Sequence, residues 1–325
     1  MRILVTGSSG HLGEALVRVL GADSHNVVGL DLLPSPHTDL VASLVDRGAV
    51  REAVTDVDAV LHTATLHKPH VGTHTRQDFV DTNVTGTLGL LEEAAAAGVG
   101  RFVLTSTTSA FGRALTPGPH EPAAWVTEEV APRPRNVYGA TKTAAEDLCE
   151  LVARDAGLPC VVLRTSRFFP EGDDRDDVRT EYPDLNAKVN ELLHRRVDLE
   201  DVVGAHLAAL ESAPRLGFDR FVVSATTPFT PDDLAELRTD ARAVVRRAFP
   251  DVDAVYAERG WRLFPGIDRV YVNARAREVL GWAPRHDFRS ALDRLAAGKD
   301  PRSALALAVG AKGYHAESTG PYTVR

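Results

Sequence analysis

The feature that most constrains this chain lies at its start. An apolar run, Arg2-Ile-Leu-Val-Thr6, enters Gly7-Ser-Ser-Gly10-His-Leu-Gly13, which passes into a helix-like stretch, Glu14-Ala-Leu-Val-Arg-Val-Leu20. Glycines at this spacing, between a strand and a helix, form a turn that holds a dinucleotide. Gly7 permits the tight bend, Gly10 lets the backbone approach a pyrophosphate, and Gly13 allows the helix to pack close to the strand. The free N–H groups of the helix start, over Ser9, His11 and Leu12, then face the phosphates. A chain opening this way is expected to build a parallel sheet with helices on both faces.

The first half keeps to that pattern. Strand-like runs at Arg2–Thr6, Asn26–Asp31, Ala59–Thr63, Arg101–Ser106 and Cys160–Arg164 alternate with helix-like runs at His11–Leu20, Asp46–Thr55, Val80–Ala97 and Val137–Ala156. Such alternation predicts an α/β fold, a Rossmann-type doubly wound parallel sheet. After Arg164 the alternation stops at a polar, acidic stretch, Phe169–Asp177. Helices are expected at Asp198–Ser212, at Pro231–Arg238 behind Thr230, and at Asn273–Leu280 with Asn273 as N-cap and Gly281 as C-cap; a strand is expected at Arg220–Ser224, and Asp287 starts a further helix. The expected division is an NAD-binding domain over residues 1–165, with some later segments returning to it. A small, mainly substrate-binding C-terminal lobe follows over 166–298, then a tail of unclear order over 299–325.

At 325 residues the chain can bury a full core, and its 44% hydrophobic and 25% charged residues are those of an ordinary soluble protein. A net charge of −8 argues against a nucleic-acid partner. There is no apolar run long enough to span a membrane, and the strand-like sequence after Arg2 leaves no room for a signal peptide. Two cysteines, Cys149 and Cys160, read as inert core thiols in a reducing, cytoplasmic setting. No metal site is called for. Only five of the 37 basic residues are lysine, which singles out Lys142.

Lys142 closes a second motif, Tyr138-Gly-Ala-Thr-Lys142, downstream of Phe102-Val-Leu-Thr-Ser-Thr-Thr108. Spacing i, i+4 puts Tyr138 and Lys142 on one helix face. Taking hydride from a carbinol requires a base for its proton, and free tyrosine, with a pKa of about 10, is a poor one. A neighbouring ammonium and the positive nicotinamide ring favour the phenolate. Thr107, at the strand end, can bond the substrate oxygen. Asp31 ends the second strand; its carboxylate suits two free ribose hydroxyls and repels a 2′-phosphate, and no arginine follows it in Leu32-Leu33-Pro34-Ser35. NAD is expected over NADP.

Here the chain resembles the extended short-chain dehydrogenase/reductases, in particular the NAD-dependent sugar epimerase/dehydratase group, over roughly residues 1–298. The resemblance rests on the glycine turn, Val60-Leu-His-Thr-Ala64, Asn83-Val-Thr-Gly-Thr87, Phe102–Gly112, the Tyr138–Lys142 motif, Val197-Asp-Leu-Glu-Asp201 and Leu280-Gly-Trp-Ala-Pro284. It implies that Ser43 and Leu44 meet the adenine, that Thr63 and Ala64 line the ribose and pyrophosphate, and that Asn83 stands behind the cofactor pocket. Lys142 would also bind the nicotinamide ribose, Thr105 would border the cofactor, and Ser166 would lie against the nicotinamide. Alignment on Gly112 puts Thr107 at the family's hydroxyl position, with Ser106 as the fallback. It further implies a homodimer, built from the helix after Asn83 and the helix carrying Tyr138.

Departures from the family pattern bear on the substrate. Thr108-Ser109 stand where sugar dehydratases carry an acidic pair, which sets water elimination aside. Phe111 replaces a frequent tyrosine, and His67 stands where epimerases can have lysine. Arg167 replaces a frequent asparagine, placing a fixed cation at the substrate position or a salt bridge to the acidic stretch Glu171–Asp177. The connection from Arg167 to Val197 is shorter than in nucleotide-sugar epimerases, and Pro170-Glu171 resembles an element of uronate-type dehydrogenases. Arg167, Arg195 and Arg196 are candidates for binding a carboxylate or phosphate. The short connection suggests either a small substrate or an abbreviated nucleotide site, and the expected activity is oxidation of a secondary alcohol of a sugar or sugar-like substrate. An epimerase is favoured; a net dehydrogenase or ketoreductase on a small, acidic sugar is the first alternative, and an NAD-binding sensor or scaffold without turnover is the other.

Overall fold

In the computed structural model, residues 1–173 and 175–312 are described. The chain runs β1 (Arg2–Thr6), α1 (His11–Ala22), β2 (Asn26–Asp31), β3 (Leu40–Val41), α2 (Arg47–Ala53), β4 (Ala59–His62), α3 (Arg76–Val80), α4 (Gly86–Ala96) and β5 (Phe102–Thr107). It continues through β6 (Ala124–Val126), α5 (Val137–Ala156), β7 (Cys160–Thr165), α6 (Asp176–Glu181), α7 (Asp184–Leu192), α8 (Leu199–Leu216) and β8 (Phe218–Val223). The remainder is α9 (Leu234–Ala248), α10 (Val252–Ala257), β9 (Arg269–Tyr271), α11 (Ala274–Leu280), α12 (Phe288–Ala296) and α13 (Ala304–Val309).

Seven strands form one parallel sheet in the order β3-β2-β1-β4-β5-β7-β8. The order reverses at β1, so a crevice opens beyond the carboxyl ends of β1 and β4, where such folds take their ligands. Alternate residues of each strand feed opposite cores. Ile3, Val5, Leu61, Val103 and Leu163 pack with α1 and α8, whereas Leu4, Val60, Leu104 and Val162 pack with α2, α4 and α5. Burial on both faces is why these strands read as continuous apolar runs. A third core gathers Leu237, Val244, Tyr256, Phe288 and Leu292, and the two-stranded parallel ribbon β6–β9 lies against it through Val270.

The structure refines several expectations. The single helix expected over Val80–Ala97 is divided by a π turn at Asp81–Thr85, whose wider loop carries Asn83 into the interior. Beyond Arg164 the alternation resumes, because α8 crosses back and β8 pairs with β7. Asn273 stands at the N-cap of α11 as expected, but its side chain makes no cap bond; its amide donates to the Ser224 carbonyl (2.9 Å) and the Thr226 hydroxyl (3.1 Å), while Gly281 closes the helix with φ +67° as expected. The helix behind Thr230 starts as a 3-10 turn, Pro231–Asp233, and runs on to Ala248 through a break at Asp240. Within the expected tail, α13 packs on α1 and α8. Residues 313–325 of that tail lie outside the described residues. No helix among the described residues is long and apolar enough to cross a membrane.

His62, His194 and His206 are buried in this fold. Burial pulls His62 and His194 from the usual 6.5 down to about 3, and His206 to about 4. Their folded pKa values lie below the unfolded one, so the unfolded chain gains protons first as the pH drops below 6.5. Stability is present above 6.5 and falls toward 4, by up to about 1.4 kcal/mol per pH unit for each histidine. Urea titrations across this window should show the loss; a flat profile would mean that these rings are not held neutral.

Candidate active site

The glycine turn is closed to side chains. Gly7 has φ +74°, and a Cβ at Gly13 would lie 1.9 Å from the Gly7 carbonyl oxygen. A Cβ on Gly7 would come within 2.7 Å of the Ala64 nitrogen. The β1–α1 turn thus presses against both the helix it starts and the end of β4. Gly10 stands at the N-cap of α1. A cleft of about 1180 Å³ opens above the turn, and its wall includes Gly7, Ser9, Gly10, His11, Leu12 and Gly13. Asp31, Ser43, Leu44, Thr63 and Ala64 line the same cleft. Asp31 accepts the backbone N–H groups of Ser9 (3.0 Å) and Leu33 (2.9 Å), which fixes its carboxylate at the end of β2. A cradle that a Cβ would fill, a helix start facing the cleft and a carboxylate at this distance along the chain fit NAD.

Helix α5 brings the second motif to this cleft. Asn136 caps it by accepting the Gly139 N–H at 3.0 Å. Gly139 has a packing reason: a Cβ there would lie 2.7 Å from the Ser109 carbonyl oxygen, so only glycine lets α5 rest on the turn after β5. That contact carries Tyr138 toward Thr107, and both line the cleft. Thr107 in turn accepts the Ser109 N–H at 3.1 Å. Lys142 lies one helical turn on, 2% exposed.

The protein's own groups raise the tyrosine pKa instead of lowering it as expected. Burial pushes Tyr138 up to about 12, and the Thr107 hydroxyl opposes this; Lys142 is not among the groups that act on it. Burial brings Lys142 down to about 8, with Cys149 and Glu146 pulling the other way. The resting pair is a neutral phenol beside a weakened ammonium.

Asn83 and Lys142 stand behind the cleft wall rather than in its lining. Asn83 accepts the Leu66 N–H (2.8 Å) and donates to the Leu66 carbonyl (2.8 Å) and to Thr141 (3.0 Å), which ties the end of β4 to α5. Thr105 borders the cleft with its hydroxyl on His206 at 2.7 Å. Ser166 lines the cleft, and its buried hydroxyl has no partner among the described residues. Phe111 is buried beneath the Arg164 guanidinium, 5.0 Å from the ring centre.

The three arginines separate. Arg167 and Arg195 line the cleft; Arg196 does not. Arg196 faces away, with Nε on Glu191 (2.8 Å) and a terminal nitrogen on the Phe169 carbonyl (3.0 Å). Arg167 pairs with Asp173 in the acidic stretch and with Glu191 at 3.3 Å, while Arg195 reaches Glu191 at 2.7 Å. The salt bridge expected for Arg167 is therefore present, and it does not remove Arg167 from the lining.

Several lining residues were not anticipated. Lys68, Arg269 and Tyr271 join Arg167 in the wall, and Lys312 borders the glycine turn from the far end of the chain. The Lys312 N–H donates to Glu171 (3.2 Å) and lies 3.1 Å from His11 Nε2, its ammonium bonds Glu14, and His11 Nε2 pairs with Glu171 at 2.9 Å. Such contacts join segments too remote in sequence for spacing to reveal.

A dinucleotide cradle at the sheet's switch point, facing a Thr–Tyr–Lys set on β5 and α5, defines a short-chain dehydrogenase/reductase of the extended type. Residues 3–224 match the NAD dependent epimerase/dehydratase family, and the chain belongs to it. It is similar to the 3-diazoavenalumate denitrifying reductase of a Streptomyces species, 31% identical over 326 residues that cover 90% of this chain and 100% of the relative. It is also similar to the UDP-glucose 4-epimerase of Rhizobium meliloti, 27% identical over 325 residues, covering 88% and 93%. An uncharacterized protein of Sinorhizobium fredii, 34% identical over 167 residues, is matched over only 39% of its length. Among solved structures, a short-chain dehydrogenase/reductase superfamily protein from Agrobacterium tumefaciens with bound NAD has a TM-score of 0.65 at 25% identity, covering 91% of this chain and 96% of that one. The enzyme is NAD-dependent.

Proposed function

We propose that the chain transfers hydride between NAD and a secondary alcohol or ketone carbon of a sugar-like substrate. The observation that carries this is that Thr107 and Tyr138 line the cleft of the glycine turn together, with Lys142 one turn behind. NAD supplies the hydride acceptor and donor. Thr107 holds the substrate oxygen, and Tyr138 moves the proton on that oxygen. Lys142 and Asn83 hold the wall in place, and Lys142 binds the nicotinamide ribose. Asp31 receives the adenosine ribose hydroxyls.

The hydride has two fates. In an epimerase it returns to the opposite face of the ketone; in a net reductase or dehydrogenase it leaves with one product. Likeness to a UDP-glucose 4-epimerase supports the first. The second is supported by a relative named as a reductase that aligns along its whole length. Incubation with NAD or NADH and a panel of sugars, sugar acids and UDP sugars separates them. Net change in reduced nicotinamide absorbance means a dehydrogenase or reductase, while an epimer formed without such change means an epimerase. Neither, across the panel, would sink the proposal.

We also propose a homodimer through α4 and α5. Leu151 on α5 is a large apolar residue left 41% exposed. Light scattering should give twice the chain mass of 35.1 kDa; a monomer mass at micromolar concentration would exclude it.

A further inference from the structure

Two polar atoms of the cleft wall are buried with no hydrogen-bond partner among the described residues: the Ser166 hydroxyl and Nε of Arg195. Ser166 is 3% exposed, and the Arg195 side chain 14%. Buried polar groups are normally bonded, and one left without a partner bears its full desolvation penalty.

The fold makes these two atoms neighbours. Ser166 follows the end of β7, and Arg195 follows α7. Arg167 and Arg196 form a parallel bridge, in which the Arg167 N–H donates to the Arg195 carbonyl (3.4 Å) and the Val197 N–H to the Arg167 carbonyl (2.9 Å). Ser166 and Arg195 stand one residue back on each side of that bridge, so alternation along extended chain sends both side chains to one face. That face is the cleft; Arg196, the next residue, turns the other way. The Ser166 N–H is tied to the Val223 carbonyl at 2.9 Å, which fixes the position of its hydroxyl. On β7 the preceding residue, Thr165, pairs with Thr107 of β5, so Ser166 lies one strand away from the hydroxyl that meets the reacting oxygen.

The charge of Arg195 is already met. Its terminal nitrogen lies 2.7 Å from Glu191 and 3.6 Å from Asp173. What its Nε–H lacks is an acceptor rather than a counter-ion, and Ser166 beside it offers a second donor. A neutral hydroxyl or carbonyl oxygen satisfies both. A carboxylate would stand as a third anion beside the two that already serve this arginine.

We propose that Ser166 and Arg195 form a second oxygen-binding subsite, which selects substrates carrying another hydroxyl or carbonyl oxygen close to the carbon that exchanges hydride. The assignment rests on the hydride-transfer reading for which carbon reacts. It turns Ser166 toward the substrate instead of the nicotinamide that its place in the family pattern implies.

The test is calorimetric binding to the NADH-saturated protein. The probes are glucose, galactose and UDP-galactose, each beside its singly deoxygenated derivatives, with galacturonate as the charged comparison. For at least one sugar, loss of one hydroxyl should weaken binding roughly 5- to 50-fold. Ser166→Ala and Arg195→Lys should each weaken the parent sugar to a similar degree and leave that deoxy derivative unaffected. Arg195→Lys keeps a cation for Glu191 and removes the Nε donor. The Kd of NADH should not change in either variant. Ser166→Ala that weakens NADH and spares the sugar would return Ser166 to the nicotinamide and overturn the assignment. So would sugar binding indifferent to both variants, a loss shared equally by parent and every deoxy derivative, a response confined to galacturonate, or no binding by any of these sugars. If Arg195→Lys does not fold, Ser166→Ala with the deoxy series still decides. Binding needs no proton transfer and should survive Tyr138→Phe. A sugar held in this way but never oxidised or reduced would sink the hydride-transfer reading alone.

Discussion

Tyr138→Phe should lower kcat by roughly 10²- to 10⁴-fold and leave the NAD Kd within a few fold. The change removes one oxygen. The ring keeps its place, because Gly139 seats α5 on the Ser109 turn whatever Tyr138 carries. What is lost is the group that meets Thr107 and exchanges the substrate's proton. With its pKa pushed up to about 12, Tyr138 is protonated in the resting site and ready to act as an acid toward a ketone. Toward an alcohol it must first become phenolate, which the charges of Lys142 and of the oxidised nicotinamide favour. A variant that kept more than about a tenth of the rate would mean that another group moves the proton.

Glu146→Ala should lower the melting temperature by on the order of 10 °C. Glu146 is fully buried one turn beyond Lys142. It accepts the Ser106 hydroxyl from β5 and the Arg164 guanidinium from β7, at 3.0 and 2.7 Å to its second oxygen. Removing it leaves Arg164 charged in the core, a loss of about 3–5 kcal/mol. In a domain of this size that corresponds to several degrees per few kcal/mol. The double variant Glu146→Leu, Arg164→Met should recover much of the loss, since an apolar pair can replace a buried ion pair. Scanning calorimetry on the two variants decides. A drop below about 3 °C for Glu146→Ala would show that α5 does not depend on this tie.

Much of the fold was legible because local and global signals agree. Helix α5 runs over Val137–Ala156 as its sequence implies, since a capping Asn136, a glycine contact at Gly139 and Gly157 in the left-handed region mark its course and its end. The glycine turn could be read because each glycine answers one steric demand. What stayed hidden was built by distance or by small changes of pitch. The π turn around Asn83 adds no sequence signal to a helix-like run. Strands of two or three residues such as β3, β6 and β9 are too short to show a period. Arg167 could be read as a cation at the site, but only the fold shows Arg196 turned away beside it, and only the fold brings in Lys68 and Arg269.

The strap formed by residues 310–312 has a kinetic consequence. Lys312 bonds the first turn of α1 at His11 and Glu14 and, through Glu171, the loop that follows β7. These contacts lie beside the glycine turn on the wall of the cleft. The exchange of oxidised for reduced cofactor is expected to depend on how often this strap lets go. An enzyme that returns its hydride every cycle is served by a slow strap, and one that releases NADH every cycle needs a fast one. The residence time of the bound cofactor is thus a physical signature of which chemistry the cleft performs.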